Sequence, residues 1–186
     1  MKTVIIYKSK YGYTKKYAHW ISEKMNADIY EVSEADKLGF SVYDTVIYGG
    51  GLYAGGINGI GYVKGVFDKI SSKNIIVFTV GLADPNVQSN VDGITAHIDK
   101  DFSPAMRQKI KAFHLRGGID YQKLGIIHKS MMLMLKKSVE KKPDEKLSQE
   151  DVEMLETYGE QVDFTAIDTL GPMLEYIKSL ETQMRS

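Results

Sequence analysis

Thr3-Val4-Ile5-Ile6-Tyr7-Lys8-Ser9-Lys10-Tyr11-Gly12-Tyr13-Thr14 opens the chain and decides how the rest is read. Thr3–Tyr7 is a short, continuous, β-rich run, the pattern of a parallel strand covered on both faces. The polar turn Ser9–Thr14 follows it. Tyr17, Ala18, Ile21 and Met25 then recur at helical spacing, so a helix begins directly after the turn. In such a strand–turn–helix unit the backbone amides converge on one spot, and the helix start adds partial positive charge. Ser9 and Thr14 supply hydroxyls and Gly12 lets the backbone come close. The turn therefore reads as a cradle for phosphate. It also reads, less specifically, as a plain βα turn, and it is not a GxxxxGK[ST] loop.

Further strands are expected at Asp28–Val32, Asp44–Tyr48, Asn74–Val80 and Lys111–Arg116, and all but the first connection holds or precedes a helical pattern. One helix runs to about Ile70 on Val63, Val66, Phe67 and Ile70. Another is expected on Val87, Val91, Ile94 and Ile98. Ser103-Pro104 is an N-cap followed by a proline in the first turn, with Met106 and Ile110 expected on one face. A long helix is expected from about Tyr121 to Val139, a short one behind Ser148 and Asp151, and a last one from Ala166 or Gly171. The alternation implies an α/β three-layer sandwich around a five-stranded parallel sheet. A single domain over residues 1–186 is expected, with an elaboration before the fifth strand.

Composition narrows the function. Among 186 residues, 24 Lys and Arg balance 24 Asp and Glu, so there is no basic surplus for nucleic acid. There is no cysteine, which removes disulfides, thiolate metal sites, iron–sulfur clusters and thiol nucleophiles. His19, His97, His114 and His128 show no metal-ligand spacing, and His114, within the last strand, reads as a core histidine with a partner. No Ser/His/Asp set sits on a nucleophile turn. The N-terminus has no signal-peptide pattern and no run approaches ~18 apolar residues, the length of a membrane span; a cytoplasmic location is expected.

Ligands of open α/β sheets collect beyond the carboxyl ends of the strands. The loop after the third strand, Gly49-Gly50-Gly51-Leu52-Tyr53-Ala54-Gly55-Gly56, holds five glycines in eight residues. Its G-x-G-x-x-A match lies on the wrong turn for a dinucleotide fingerprint. The glycines instead suggest a flat ligand lying against bare backbone, with Tyr53 as an aromatic face. The loop Thr79-Val80-Gly81-Leu82-Ala83 offers backbone amides to a ring edge. Arg116 and Gly117 end the fifth strand on the same side.

Together these loops resemble the flavodoxin family, over most of the chain. The resemblance implies a strand order 2-1-3-4-5 and FMN at the switch point between the first and third strands, which is itself a standard example of the rule. It implies that Ser9, Lys10, Tyr11, Gly12, Tyr13 and Thr14 form the phosphate loop. Gly51, Leu52, Tyr53, Ala54 and Gly55 would flank the isoalloxazine, and Thr79–Ala83 would meet its pyrimidine side. Tyr11 departs from the pattern, standing where a Thr or Ser hydroxyl is usual, so Lys10 is expected to carry part of the phosphate contact. The length, the Gly/Tyr-rich Arg116–Tyr121 segment and the Met-rich basic helix behind it resemble the branch containing menaquinone-dependent protoporphyrinogen dehydrogenases. That branch implies a redox partner protein or a small acceptor such as a quinone, or turnover of protoporphyrinogen at the membrane surface.

The helix over 124–139 carries one more expectation. Leu124, Ile127, Met131, Met134 and Leu135 form an apolar stripe expected to face the sheet. Lys129 and Lys136 lie opposite, yet Ile126 and Leu133 fall among them. An apolar–basic surface of this kind suits a peripheral contact with a membrane or a partner protein.

Overall fold

The computed structural model describes residues 1–53 and 56–184; Ala54 and Gly55, expected in the cofactor loop, lie outside the described residues. The opening stretch forms β1 (Thr3–Lys8) and α1 (Tyr13–Met25). There follow β2 (Asp28–Glu31), β3 (Thr45–Tyr53), the two-residue β4 (Gly56–Ile57), α2 (Gly61–Ile70) and β5 (Asn74–Gly81). Then come α3 (Gln88–Asp101), α4 (Pro104–Arg107) and β6 (Ile110–Arg116). The remainder is β7 (Gly118–Asp120), α5 (Ile126–Val139), α6 (Gln149–Glu156), β8 (Gln161–Asp163) and α7 (Gly171–Gln183).

The main sheet runs β2-β1-β3-β5-β6, every neighbouring pair parallel. Counting only these five strands, the order is 2-1-3-4-5, as expected. The alternation of side chains along each strand builds two cores. Val4, Ile6, Val46, Tyr48, Ile75 and Val77 pack with Val63 and Ile70 of α2 and Ile98 of α3. Ile5, Tyr7, Ile47, Ile76 and Phe78 point the other way, against Tyr17, Ala18 and Ile21 of α1 and Met173, Ile177 and Leu180 of α7. Burial of each such side chain contributes about 1.5–3 kcal/mol, so the sheet with both helix layers forms one cooperative body.

Two local readings are corrected first. The glycine run is not a loop after a strand ending at Tyr48: β3 continues through Gly49, Gly50 and Gly51 to Tyr53. These glycines sit where neighbouring side chains already fill the space. A Cβ on Gly49 would overlap the tip of the Phe78 ring at Cζ, one on Gly50 would meet Ile57 Cγ2, and one on Gly51 would come within 2.7 Å of the Tyr53 ring. At Gly49, Gly50 and Gly51 the space a side chain would take is thus occupied by Phe78, Ile57 and Tyr53. Ile110 does not share a helix face with Met106; it opens β6 opposite Ile75. The Ser103 cap does form, accepting from the Met106 amide at 3.4 Å.

The long helix begins at Ile126, not Tyr121, because Gly118–Asp120 pair antiparallel with Gln161–Asp163. The Asp120 carboxylate then accepts the Gln122 amide at 3.0 Å and pairs with Lys123 at 2.9 Å, which turns the chain before the helix. The stretch before the fifth main strand holds α3 and the one-turn α4. A larger addition, β7 through β8, follows that strand; its helices were expected, but its two strands, of three residues each, are too short for periodicity to signal. It carries its own small core of Ile119, Tyr121 and Leu124, packed against Tyr11, Leu82 and Met132.

Candidate functional site

The carboxyl ends of β1, β3, β5 and β6 open onto one side of the sheet. At the first of them Gly12 adopts φ 95°, the left-handed conformation that glycine takes without strain, and its amide donates to Ser9 Oγ at 3.1 Å. This turns the chain into α1, whose first backbone bond runs from Lys16 N–H to Gly12 O at 2.9 Å. The amides of Tyr13, Thr14 and Lys15 therefore have no partner earlier in the helix. No side chain caps this end and no acid stands in its first turn. Thr14 is a buried residue that lines the cavity beside this end. Free amides, a threonine hydroxyl and the positive end of a helix dipole are the donor set that a phosphate requires.

Next to this end lies a cavity of about 230 Å³. Tyr11, Tyr13 and Thr14 line it from the first loop, Leu52 and Tyr53 from β3, and Val80, Gly81, Leu82 and Ala83 from the end of β5. Gly117, Gly118 and Ile119 close it behind β6, and Leu124, His128, Met131 and Met132 close it from α5 and the turn before it. Apolar and aromatic walls with polar groups gathered at one end suit a planar ring that carries a phosphate-bearing chain.

Other expected residues stand beside the cavity without lining it. Ser9, Lys10 and Gly12 shape the loop, and Lys10 Nζ lies over the Tyr11 ring, 5.5 Å from its centroid. The side of Gly51 is filled by Tyr53. Thr79 is fully buried and its hydroxyl shares a hydrogen bond with His114 Nδ1 at 2.8 Å. Arg116 turns into an adjoining cavity. It pairs with Glu153, donates to the Leu82 carbonyl at 3.0 Å and lies 3.8 Å from the centroid of the Phe164 ring. Its charge is thereby satisfied away from the loop before α1.

His114 is the partnered strand histidine expected from its position. Desolvation, followed by the Arg107 charge, holds its imidazole below the ordinary 6.5. The unfolded chain therefore binds more protons than the folded one as pH falls through 6.5 toward the depressed value. Stability is full above pH 6.5 and declines below it. His114→Gln keeps an acceptor for Thr79 without a titrating group. The loss of urea midpoint between pH 7.5 and pH 5 should therefore be smaller in this variant than in the wild type. An equal loss in both would show that His114 does not contribute to the slope.

His128 and Met131 carry a role that the sequence reading missed. The hydroxyl of Tyr11 shares a hydrogen bond with His128 Nδ1 at 2.7 Å. The His128 ring stacks on Tyr53, with centroids 5.4 Å apart and planes 20° apart. Tyr11 meets Tyr53 edge-on at 5.7 Å. Tyr11 thus latches the loop before α1 onto α5. Desolvation and the nearby Lys10 charge hold the His128 imidazole below its ordinary value, which favours the neutral ring that stacks on Tyr53. The departure of Tyr11 from the loop pattern was the one available signal.

The family described as Flavodoxin domain matches residues 4–146 of the chain. No curated protein matches it. Among solved structures, it is similar to a flavoprotein in complex with FMN from Lactobacillus acidophilus NCFM, with 17% identity and a TM-score of 0.44 over 62% of this chain and 91% of that one. It is also similar to flavodoxin 2 from Bacillus cereus, with 16% identity and a TM-score of 0.42 over 62% and 84%. A third is the Trp repressor binding protein from Bacillus subtilis, with 16% identity and a TM-score of 0.45 over 62% and 83%.

Proposed function

Because the chain belongs to the flavodoxin-domain family, matched over residues 4–146, we propose that it is a redox protein that binds FMN and passes electrons from a reduced donor to an acceptor. The observation that carries this reading is the uncapped start of α1 opening beside a cavity walled by Tyr53, Leu52 and Val80–Ala83. FMN supplies one- and two-electron chemistry once bound, and the protein's part is to hold and tune it. The Tyr13, Thr14 and Lys15 amides and the Thr14 hydroxyl hold the phosphate. Leu52, Tyr53 and Met131 exclude water from the ring, and the backbone of Val80–Ala83 faces its polar edge. No side-chain acid or base is required for electron transfer.

The adjoining cavity favours a second reading on the acceptor. It measures about 360 Å³ and shares Leu82, Ala83, Ile119 and Met132 with the first. A small apolar acceptor such as a quinone ring would then approach the flavin from behind Met132. This reading keeps the quinone-linked dehydrogenase branch as the finer form of the proposal.

Purified protein should be yellow, and heat or acid should release a chromophore identified by mass as FMN. A colourless preparation that fails to quench added FMN at micromolar concentration would overturn the proposal. Turnover with quinones, compared with reduction of a protein acceptor, separates the two readings.

A further inference from the structure

α5 has one face on the cofactor cavity, through His128, Met131 and Met132, and Val139 is its only buried residue. The stripe expected to face the sheet does not do so. Ile127 is 75% exposed, Met134 66% and Leu135 48%, and Ile126 is 85% exposed. The helix stands on the addition after β6, which covers the loops and not the sheet face, so only a narrow arc of it finds apolar neighbours. Ile126, Leu133, Met134 and Ile127 consequently occupy one outward arc, with Ser130 between them and Lys129 and Lys137 within or beside it.

The charge around this arc is one-sided. Residues 121–142 hold six lysines and one glutamate in a chain of zero net charge. Lys123, Lys136 and Lys142 are paired with Asp120, Glu140 and Asp151. Lys129, Lys137 and Lys141 make no ion pair among the described residues. The composition also separates kinds of partner. Protein interfaces are built on Trp, Tyr and Arg anchors and are depleted in lysine. The helix contributes no aromatic residue and no arginine to this arc, and Tyr121 and Tyr158 border it only on the side of Lys129, Ser130 and Leu133. Long apolar chains interleaved with lysines on one helix are the pattern of interfacial helices, whose apolar side enters the acyl boundary while lysines reach the phosphates. No helix among the described residues is long and apolar enough to cross a membrane, so the contact is with one leaflet surface.

We propose that α5 docks the protein on an anionic lipid surface through Ile126, Ile127, Leu133 and Met134, with Lys129, Lys137 and Lys141 on the headgroups. Docked in this way, the cofactor cavity lies one helix diameter, roughly 10 Å, from the lipid. The inference does not depend on which cofactor the cavity holds, because its readout is protein mass on the vesicle.

The test is co-sedimentation of the full-length protein with vesicles of phosphatidylglycerol and phosphatidylcholine mixed equally, and of phosphatidylcholine alone. Binding to the anionic vesicles is expected, with weakening at high salt and none to the neutral ones. Ile127→Asp with Met134→Asp should reduce it at least tenfold, and Lys129→Glu with Lys137→Glu by about tenfold or more, since each lysine near such a surface contributes about 1 kcal/mol, or fivefold. These positions are exposed and outside the cavity, so the thermal midpoint and flavin content of the variants should match the wild type. Failure to bind anionic vesicles, or equal binding by the Asp pair, overturns the proposal. A concentration-dependent dimer abolished by the Asp pair, without vesicle binding, would also overturn it and assign the face to a second copy.

Discussion

Ser9→Asp should weaken FMN binding about a hundredfold and leave riboflavin binding unchanged. The Ser9 hydroxyl accepts the Gly12 amide at the mouth of α1, where no other side chain caps the helix and no acid stands in the first turn. A carboxylate at that position accepts the same amide and complements the helix dipole, so the cofactor-free protein should be stabilised by about 0.3–1 kcal/mol. It also brings a negative charge to the place where the phosphate is to be held. Like charges at short range near a protein surface repel by about 3 kcal/mol, which corresponds to roughly a hundredfold in affinity. Ser9→Ala, which removes one acceptor without adding charge, should cost only a few-fold. Titration of flavin fluorescence with both ligands measures this. A loss shared equally by FMN and riboflavin would place the phosphate elsewhere.

Gly49→Ala should destabilise the protein by about 3 kcal/mol, at the upper end of ordinary overpacking. Gly49 stands opposite Phe78 across β3 and β5, and its added methyl would overlap the tip of the Phe78 ring, which is wholly buried. For a chain of this length that corresponds to a melting point lower by roughly 6–12 °C. Phe78→Ala alone should cost about 3–5 kcal/mol through the cavity it leaves. The double variant places the new methyl in part of that cavity, so its cost should fall short of the sum by at least ~1 kcal/mol. Urea denaturation of the four proteins gives the coupling. Additive costs would mean that the strand moves to admit the methyl, and that the glycine run is not held bare by Phe78.

The legible parts of this protein are those whose signals are local. Val4–Tyr7, Val46–Tyr48 and Ile75–Val80 are unbroken apolar runs because both sheet faces are covered, and the helices between them show their period directly. The caps at Ser103 and Ser148 are readable for the same reason, since each donor and acceptor lies within four residues. The glycine run was misread because a missing Cβ has the same appearance whether ligand or protein fills the space. Only the placement of Phe78, Ile57 and Tyr53 against the strand distinguishes the two.

α5 shows the same limit from the other side. Its apolar residues surround the helix too widely to define one buried face, so periodicity assigned Ile127 and Met134 inward, whereas the fold exposes them. Likewise, Tyr11 and His128 are 117 residues apart, and nothing near either announces the other. By itself the sequence determined the alternating strands and helices and the polar loop that starts α1, because backbone propensity and short-range hydrogen bonding act over a few residues; the strand order was implied by the family resemblance alone. The tertiary structure alone decided what fills the glycine strand, that α5 walls the cavity and that its apolar arc faces outward. Those outcomes depend on which distant surfaces compete for the same space.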